Sequence, residues 1–238
     1  MPFRPHEAVD TKVNECAAML DLLARMNLDG ALVTIDAIAT NPSVAQAILD
    51  AGGGYVLALK NNQAAFHAEV AEYFDNADPS NLETIEAVEK DHGRLETRTY
   101  TVSHDTNWIT GPRRHPDEPR LPQLACLVKT TTRTERKGKA TEETRYFVSS
   151  AKLTPEQAAT AIRGHWGIES LHWVLDVVFK EDQSRLRRGH GAQNMALVRR
   201  LAFNIVRNAR GKKSIKTARK AAGWNPNFLE AMLRTDSR

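Results

Sequence analysis

ALVTIDAIATNPSVAQAILDAGGGYVLALK, residues 31–60, holds two short apolar runs separated by a helical pattern. The runs ALVTI and GYVLALK are nearly continuous and rich in branched side chains, which indicates two buried strands. Between them, Asn41 suits an N-cap and Pro42 suits the first helical turn. A further helical pattern covers residues 10–28. The order helix, strand, helix, strand predicts an α/β fold with a parallel pair of strands and covering helices.

The residue pattern of the sequence changes after residue 79. Residues 84–104 and 124–150 alternate and are rich in Thr and Val, which predicts two hairpins, and a Pro-rich loop separates them. We therefore expect residues 80–150 to form an antiparallel β insertion. The core before it, residues 9–79, would then have a sheet of only two strands with exposed edges.

Helix signals return at Thr154, where Pro155 and Gln157 complete a capping box. We expect this helix to end at Ile162 or Arg163, with Gly164 as a break. Residues 163–182, RGHWGIESLHWVLDVVFKED, then form two helical stripes. The apolar stripe contains Ile168, Leu171, Leu175 and Val178, and the polar stripe contains His165, Glu169, His172 and Asp176.

The polar stripe has two interpretations. It is either the solvated face of a half-exposed helix or a face from which Glu169 projects into a metal site. Trp166 and Trp173 flank it and either pack in the core or contact a bound partner. A final helix from about 192 to 209 is expected to turn its apolar residues inward and its arginines outward. The inward residues would be Met195, Val198, Leu201, Ala202 and Ile205.

Asp36 stands at the carboxyl end of the first predicted strand, and Lys60 stands at the end of the second. Ligand-facing groups in α/β folds occupy this edge of the sheet. A buried carboxylate there costs several kcal/mol unless it is paired or bound to metal. The alternative is that Asp36 is an ordinary N-cap or turn residue.

Positive charge is concentrated in one segment. Residues 185–220 contain twelve Lys and Arg and no Asp or Glu, whereas the rest of the chain has 21 basic and 29 acidic residues. Such a basic region indicates a polyanionic partner, most often nucleic acid, although a solvated basic helix or tail is the alternative. No apolar run approaches the roughly 18 residues of a membrane span, and we expect no signal peptide. The two cysteines, Cys16 and Cys126, fit a reducing compartment.

Four motifs together resemble DDE transposases of bacterial insertion sequences, in the branch known as H-repeat-associated. They are VTIDAIA, GGYVLALKNNQ, IRGHWGIESLHWVLDVVFKEDQSRLR and NMALVRRLAFNIVR, and the resemblance runs from about Val9 to Leu233. It implies a partial RNase H-like core at 9–79 and the β insertion at 80–150. It also implies a segment at 151–210 with the catalytic Glu helix and a basic tail with a terminal helix at 211–238.

The resemblance implies DNA transposition, a form of DNA recombination, with Mg²⁺ or Mn²⁺ as the cofactor. By motif, Asp36 matches the second acid of the Asp-Asp-Glu triad and Glu169 matches the third. The first acid of the family lies in an Asp-Gly-Lys motif that would precede Val9, so we expect a C-terminal portion of a transposase that is inactive alone. Ile162, His165 and Asp176 depart from the tyrosine-arginine-glutamate-lysine signature of related branches.

DNA is the expected partner, at the ends of the insertion sequence and at its target. The expected DNA-binding residues are Lys60, Arg163, His165, His172, Arg185, Arg187, Arg188, Lys212 and Lys213. A homodimer and a complex with a full-length transposase stay open as protein assemblies, and the expected location is the bacterial cytoplasm beside the nucleoid. Two other functions stay open: a non-catalytic DNA-binding remnant and an RNase H-like metal-dependent nuclease.

Overall fold

The structure, a computed structural model, describes residues 12–37, 40–60, 63–91, 94–110, 121–136 and 138–235. The described residues up to His165 form one compact unit, and those from Trp166 onward form another. The first unit begins with the predicted alternation of helices and strands. Its elements are α1 (Lys12–Leu23), β1 (Leu32–Ile35), α2 (Pro42–Asp50), β2 (Gly54–Leu59) and α3 (Ala64–Asn76).

Helix α2 begins where its sequence predicts. The Asn41 side chain caps it by accepting a hydrogen bond from the Val44 amide at 2.9 Å, and Pro42 follows in the first turn. Val44 and Ile48 are fully buried against the sheet. The chain then turns at Gly52, whose φ of 86° is a left-handed conformation that glycine adopts without steric cost. This short return brings β2 beside β1 in parallel.

The next part of the chain folds into two hairpins, as predicted, although the His92-Gly93 turn and most of the Pro-rich loop lie outside the described residues. The elements are β3 (Glu83–Asp91), β4 (Arg94–Ser103), the short helix α4 (Asn107–Thr110), β5 (Cys126–Arg136) and β6 (Lys139–Ser149). All four strands join one six-stranded sheet in the order β1-β2-β6-β5-β4-β3. Among the described strands, only β1 and β2 are parallel.

The expected two-stranded core sheet is therefore wrong. Strand β6 pairs antiparallel with β2, so the backbone groups at that edge of β2 are hydrogen-bonded. Val148 of β6 lies opposite Leu57 of β2 on one side and opposite Leu127 of β5 on the other. The hairpins thus continue the core sheet and share its apolar faces. The mixed α/β class itself is confirmed, and it is consistent with an RNase H-like core.

Each face of the sheet packs against helices within the first unit. On one face, Leu57, Leu127 and Val148 are fully buried in a cluster that includes residues of α1, α2 and α3. On the other face, Val56 and Phe147 share a cluster with the first half of helix α5 (Pro155–Trp173). The sheet is thus the middle layer of this unit, which leaves its strand ends at the edges of the sandwich.

Helix α5 begins as predicted but continues farther. The Thr154 hydroxyl accepts from the Gln157 amide at 3.3 Å, and the Gln157 side chain accepts from the Thr154 amide at 3.0 Å, so the capping box is confirmed. The predicted break at Gly164 is wrong, because α5 runs on to Trp173. Glycine costs a helix about 1 kcal/mol but keeps its backbone donor and acceptor, so it does not force an end. A π-helical turn, Val174–Val178, follows.

The second unit contains α6 (Gly191–Ala209), α7 (Ile215–Trp224) and α8 (Pro226–Thr235). Val206, Ala218 and Met232 form its buried core. The predicted inward face of α6 is wrong at Val198 and Leu201, which are 55% and 56% exposed, because α6 packs on α7 and α8 through a neighbouring stripe. Of the stripe predicted within 163–182, Leu175 and Val178 are buried, whereas Ile168 is exposed. No helix in the described ranges combines the length and apolarity of a membrane span.

Candidate functional site

Asp36 and Lys60 meet at one edge of the sheet. Asp36 directly follows β1 and Lys60 directly follows β2, and the two strands are parallel. The Lys60 ammonium donates to Asp36 Oδ1 at 2.8 Å, and the Ala37 amide donates to the same oxygen at 2.7 Å. The two side chains are about half exposed, at 52% for Asp36 and 55% for Lys60. The carboxylate is therefore held in place yet open to solvent.

His165 completes this group from helix α5. Its Nδ1 lies 3.3 Å from Thr34 Oγ1, and its ring is half-buried. Thr34 lies on β1 two residues before Asp36, which directly follows that strand, and side chains two residues apart along an extended chain point to the same face. We call Thr34, Asp36, Lys60 and His165 the Asp36 cluster. Lys60 was expected at this edge from the sequence, whereas His165 was expected only on the polar stripe of Glu169 and among the DNA-binding residues. Thr34 was missed, although its spacing from Asp36 was a usable signal.

The electrostatics of the cluster keep Asp36 ionised. The hydrogen bond from Lys60 lowers the pKa of Asp36 below its ordinary value, and the Ala37 amide and the nearby His165 act in the same direction. Asp36 also behaves in part as a turn residue, because its Oδ1 accepts a hydrogen bond from the Ala37 amide. The lysine contact goes beyond that turn, since it joins two strands.

Arg163, which was expected to bind DNA, is engaged in an ion-pair network. It contacts Glu89 of β3, and Arg98 of β4 donates to the same carboxylate at 2.9 Å. Arg98 also contacts Glu96, whose side chain is only 9% exposed. The hydrogen bond from Arg163 is the largest of the causes that lower the pKa of Glu89. The network ties helix α5 to the first hairpin, and no local pattern in the sequence predicted it.

The other expected DNA-binding residues belong to the second unit, where each has an exposed side chain. They are His172 in the last turn of α5, Arg185, Arg187 and Arg188 before α6, and Lys212 and Lys213 between α6 and α7. The Lys213 ammonium lies 5.1 Å above the Phe228 ring, which holds its stem on α8. Trp173 is 60% exposed, so the packing interpretation is wrong for this residue. Exposed cations of this kind can contact phosphates without rearrangement.

Asp36 suits a metal ligand by its chemistry. Mg²⁺ prefers carboxylate oxygens, and Oδ2 of Asp36 takes part in neither of the two contacts to Oδ1. Glu169 lies on α5 one helical turn after His165, but its side chain is outside the described part of the structure. Among the side chains that are described, no three His, Cys, Asp or Glu residues converge as a metal site. The described residues thus fit one carboxylate ligand of a divalent ion.

Most of the chain is similar to known proteins of one family. The family model "Transposase DDE domain" matches residues 7–205. YncI of Escherichia coli O157:H7, provisionally named a transposase, is 35% identical over 240 residues, which cover 96% of this chain and 59% of YncI. YhhI of E. coli K12, provisionally named an H repeat-associated transposase, is 33% identical over 237 residues, 94% of this chain and 60% of YhhI.

A third relative covers less of the chain. An uncharacterised protein from the dhlA 3′ region of Xanthobacter autotrophicus is 42% identical over 148 residues, 62% of this chain and 48% of that protein. The chain thus spans about three fifths of the length of the E. coli relatives described above.

Proposed function

Because the chain belongs to the transposase DDE domain family, we propose that it carries part of the catalytic domain of a DNA transposase. The family generally uses divalent metal ions. In our proposal, Asp36 and Glu169 are two ligands of a Mg²⁺ or Mn²⁺ site, as the motif match implies. The observation that carries the proposal is the Asp36 cluster, an ionised and solvent-open carboxylate at a strand end beside a lysine.

The residues of the cluster have distinct tasks in this proposal. A bound divalent ion supplies Lewis-acid activation and stabilises charge on a phosphodiester group. Asp36 would hold that ion through its carboxylate, whose orientation the Ala37 amide fixes. His165, held against Thr34, presents a ring to the same edge of the sheet. Lys60 offers a compact positive charge to a DNA phosphate.

The basic residues of the second unit bind the DNA backbone in this proposal. These side chains are exposed, and their contacts with phosphates would give affinity without reading the base sequence. The residues are Arg185, Arg187, Arg188, Lys212 and Lys213. Each neutralised phosphate contributes a slope of about −0.9 to the dependence of log affinity on log salt. Duplex binding should therefore weaken steeply from low to moderate salt, and an affinity that ignores salt would argue against a phosphate-binding role.

A second function is favoured by one observation. The basic residues of the second unit are exposed. A non-catalytic DNA-binding protein would use the same residues to contact phosphates. We assign no third carboxylate within this chain, so the first experiment measures metal binding rather than turnover.

The metal proposal is tested by thermal unfolding with Mn²⁺. At ten times the dissociation constant, binding to the folded state adds about 1.4 kcal/mol, which raises Tm by a few degrees in a chain of this size. Asp36→Asn should abolish the increase. Asp50→Asn is the matched control, since Asp50 is an exposed carboxylate at the end of α2 that accepts a hydrogen bond from the neutral Gln46 side chain at 2.8 Å. Equal shifts in wild type and Asp36→Asn would reject the site.

The DNA chemistry is tested by nicking assays with Mn²⁺. The substrates are duplexes with and without the terminal inverted repeats of the insertion sequence. Nicking only at the repeats supports the transposase, and nicking of every duplex identifies an RNase H-like nuclease. Binding to DNA without any nicking fits both a transposase portion that is inactive alone and the non-catalytic alternative, and Mn²⁺ binding that depends on Asp36 then supports the transposase portion.

A further inference from the structure

The Lys60 ammonium is hydrogen-bonded to the Asp36 carboxylate, which is the proposed metal ligand. Its Nζ lies 2.8 Å from Asp36 Oδ1, while the Ala37 amide donates to the same oxygen. The contact joins side chains 24 positions apart in sequence, across the ends of β1 and β2. It is therefore built by the sheet and is not a product of local helix spacing.

A divalent ion and an ammonium group compete for one carboxylate. Both bind it by charge, and they repel each other when they are placed on its two oxygens. Asp36 and Lys60 are both about half exposed, so water and ions reach the pair freely. The lysine head sits on four methylenes, and rotation about their bonds can move it by roughly several ångströms while the backbone stays in place.

We propose that Lys60 is a displaceable counter-ion: it holds Asp36 in the metal-free protein and transfers to a DNA phosphate when a divalent ion binds Asp36. The inference rests on the proposed function, because it takes Asp36 as a metal ligand. Metal binding and DNA binding are then coupled, since the metal releases a positive charge for the DNA. By linkage, DNA that holds Lys60 must increase the affinity for metal by the same factor.

The first test measures Mn²⁺ affinity by titration calorimetry. Lys60→Met keeps most of the stem and removes the competing charge. An exposed ion pair is weak, so the dissociation constant should fall about two- to fivefold. Lys152→Met, at an exposed lysine of the same unit, is the matched control for the loss of one positive charge and should change the affinity less.

The outcomes separate this inference from the proposed function. If Asp36→Asn abolishes binding while Lys60→Met equals wild type, Lys60 does not compete and the inference is overturned, although the metal site stands. If wild type binds no Mn²⁺, both are overturned. If Lys60→Met binds Mn²⁺ more tightly than wild type, and if this gain vanishes when Asp36→Asn is added, then Lys60 competes with the metal for Asp36.

The second test measures metal-free binding to a duplex by fluorescence anisotropy. Asp36→Asn frees Lys60 from its partner, so it should bind more tightly than Asp50→Asn, which removes the same charge without freeing a lysine. The affinity of Asp36→Asn for the duplex should exceed that of Asp50→Asn by about two- to fivefold. This difference should disappear in the double variant Asp36→Asn/Lys60→Met. Equal affinities of Asp36→Asn and Asp50→Asn would overturn the transfer to phosphate. Circular dichroism of each variant checks that it is folded.

Discussion

Val148→Ala tests whether the hairpins are an integral part of the core sheet. Val148 is fully buried and lies between Leu57 of β2 and Leu127 of β5. The substitution removes two methyl groups, worth about 0.8 kcal/mol each by transfer, or about 1.6 kcal/mol together. The cavity that remains raises the expected loss in the free energy of unfolding to about 2–3 kcal/mol. Domains of this kind are stable by only about 5–15 kcal/mol, so the loss is readily measured.

The measurement is urea unfolding, followed by circular dichroism at equilibrium. Val88→Ala is the control because it makes the same change in the same pair of hairpins, on β3, where Val88 is 58% exposed. It should change the free energy of unfolding by no more than about 0.5 kcal/mol. If Val148→Ala also costs less than that, the register that joins β6 to β2 is incorrect.

Three further predictions concern single contacts of the first unit. Thr154→Ala removes one side of the capping box and should cost about 1 kcal/mol in urea unfolding; an unchanged midpoint would contradict the cap. Gly52→Ala forces a Cβ into a backbone with φ of 86° and should lower stability by more than about 1 kcal/mol, whereas any gain would show that this turn is misplaced. Because Arg163 lowers the pKa of Glu89, Glu89 contributes stability above its unfolded pKa, and the contribution is lost as pH falls through the lower folded pKa. Glu89→Gln should therefore weaken the acid dependence of the urea midpoint below about pH 5; an identical dependence in both proteins would speak against the ion pair.

Local signals predicted much of the first unit. Asn41 and Pro42 marked the start of α2, and the apolar runs around them marked β1 and β2, because caps and buried strands depend on neighbouring residues. The pairing of β6 with β2 has no such signal. It is decided by which strand covers the open edge of β2, and residues that meet there, such as Leu57 and Val148, are far apart in the chain.

The second unit shows why a helical period alone can mislead. Helix α6 has apolar residues on more than one stripe, and Val206 is buried whereas Leu201 is exposed. The buried stripe is selected by α7 and α8, which the pattern within α6 does not encode.

The sequence predicted one contact of the candidate site and missed others. Parallel strands bring their carboxyl ends together, so the meeting of Asp36 and Lys60 followed from the strand assignment alone. The contacts of Arg163 with Glu89 and of His165 with Thr34 depend on how α5 lies across the sheet, which the spacing of its residues does not fix.

Paramagnetic line broadening by Mn²⁺ tests most directly whether Asp36 and Glu169 bind one ion. The backbone amides of Ala37, next to Asp36, and of Ser170, next to Glu169, are followed in ¹⁵N spectra during a Mn²⁺ titration. Both amides should broaden at the same metal concentration, and neither should do so in Asp36→Asn. Broadening of Ala37 while Ser170 stays sharp would contradict a shared metal site.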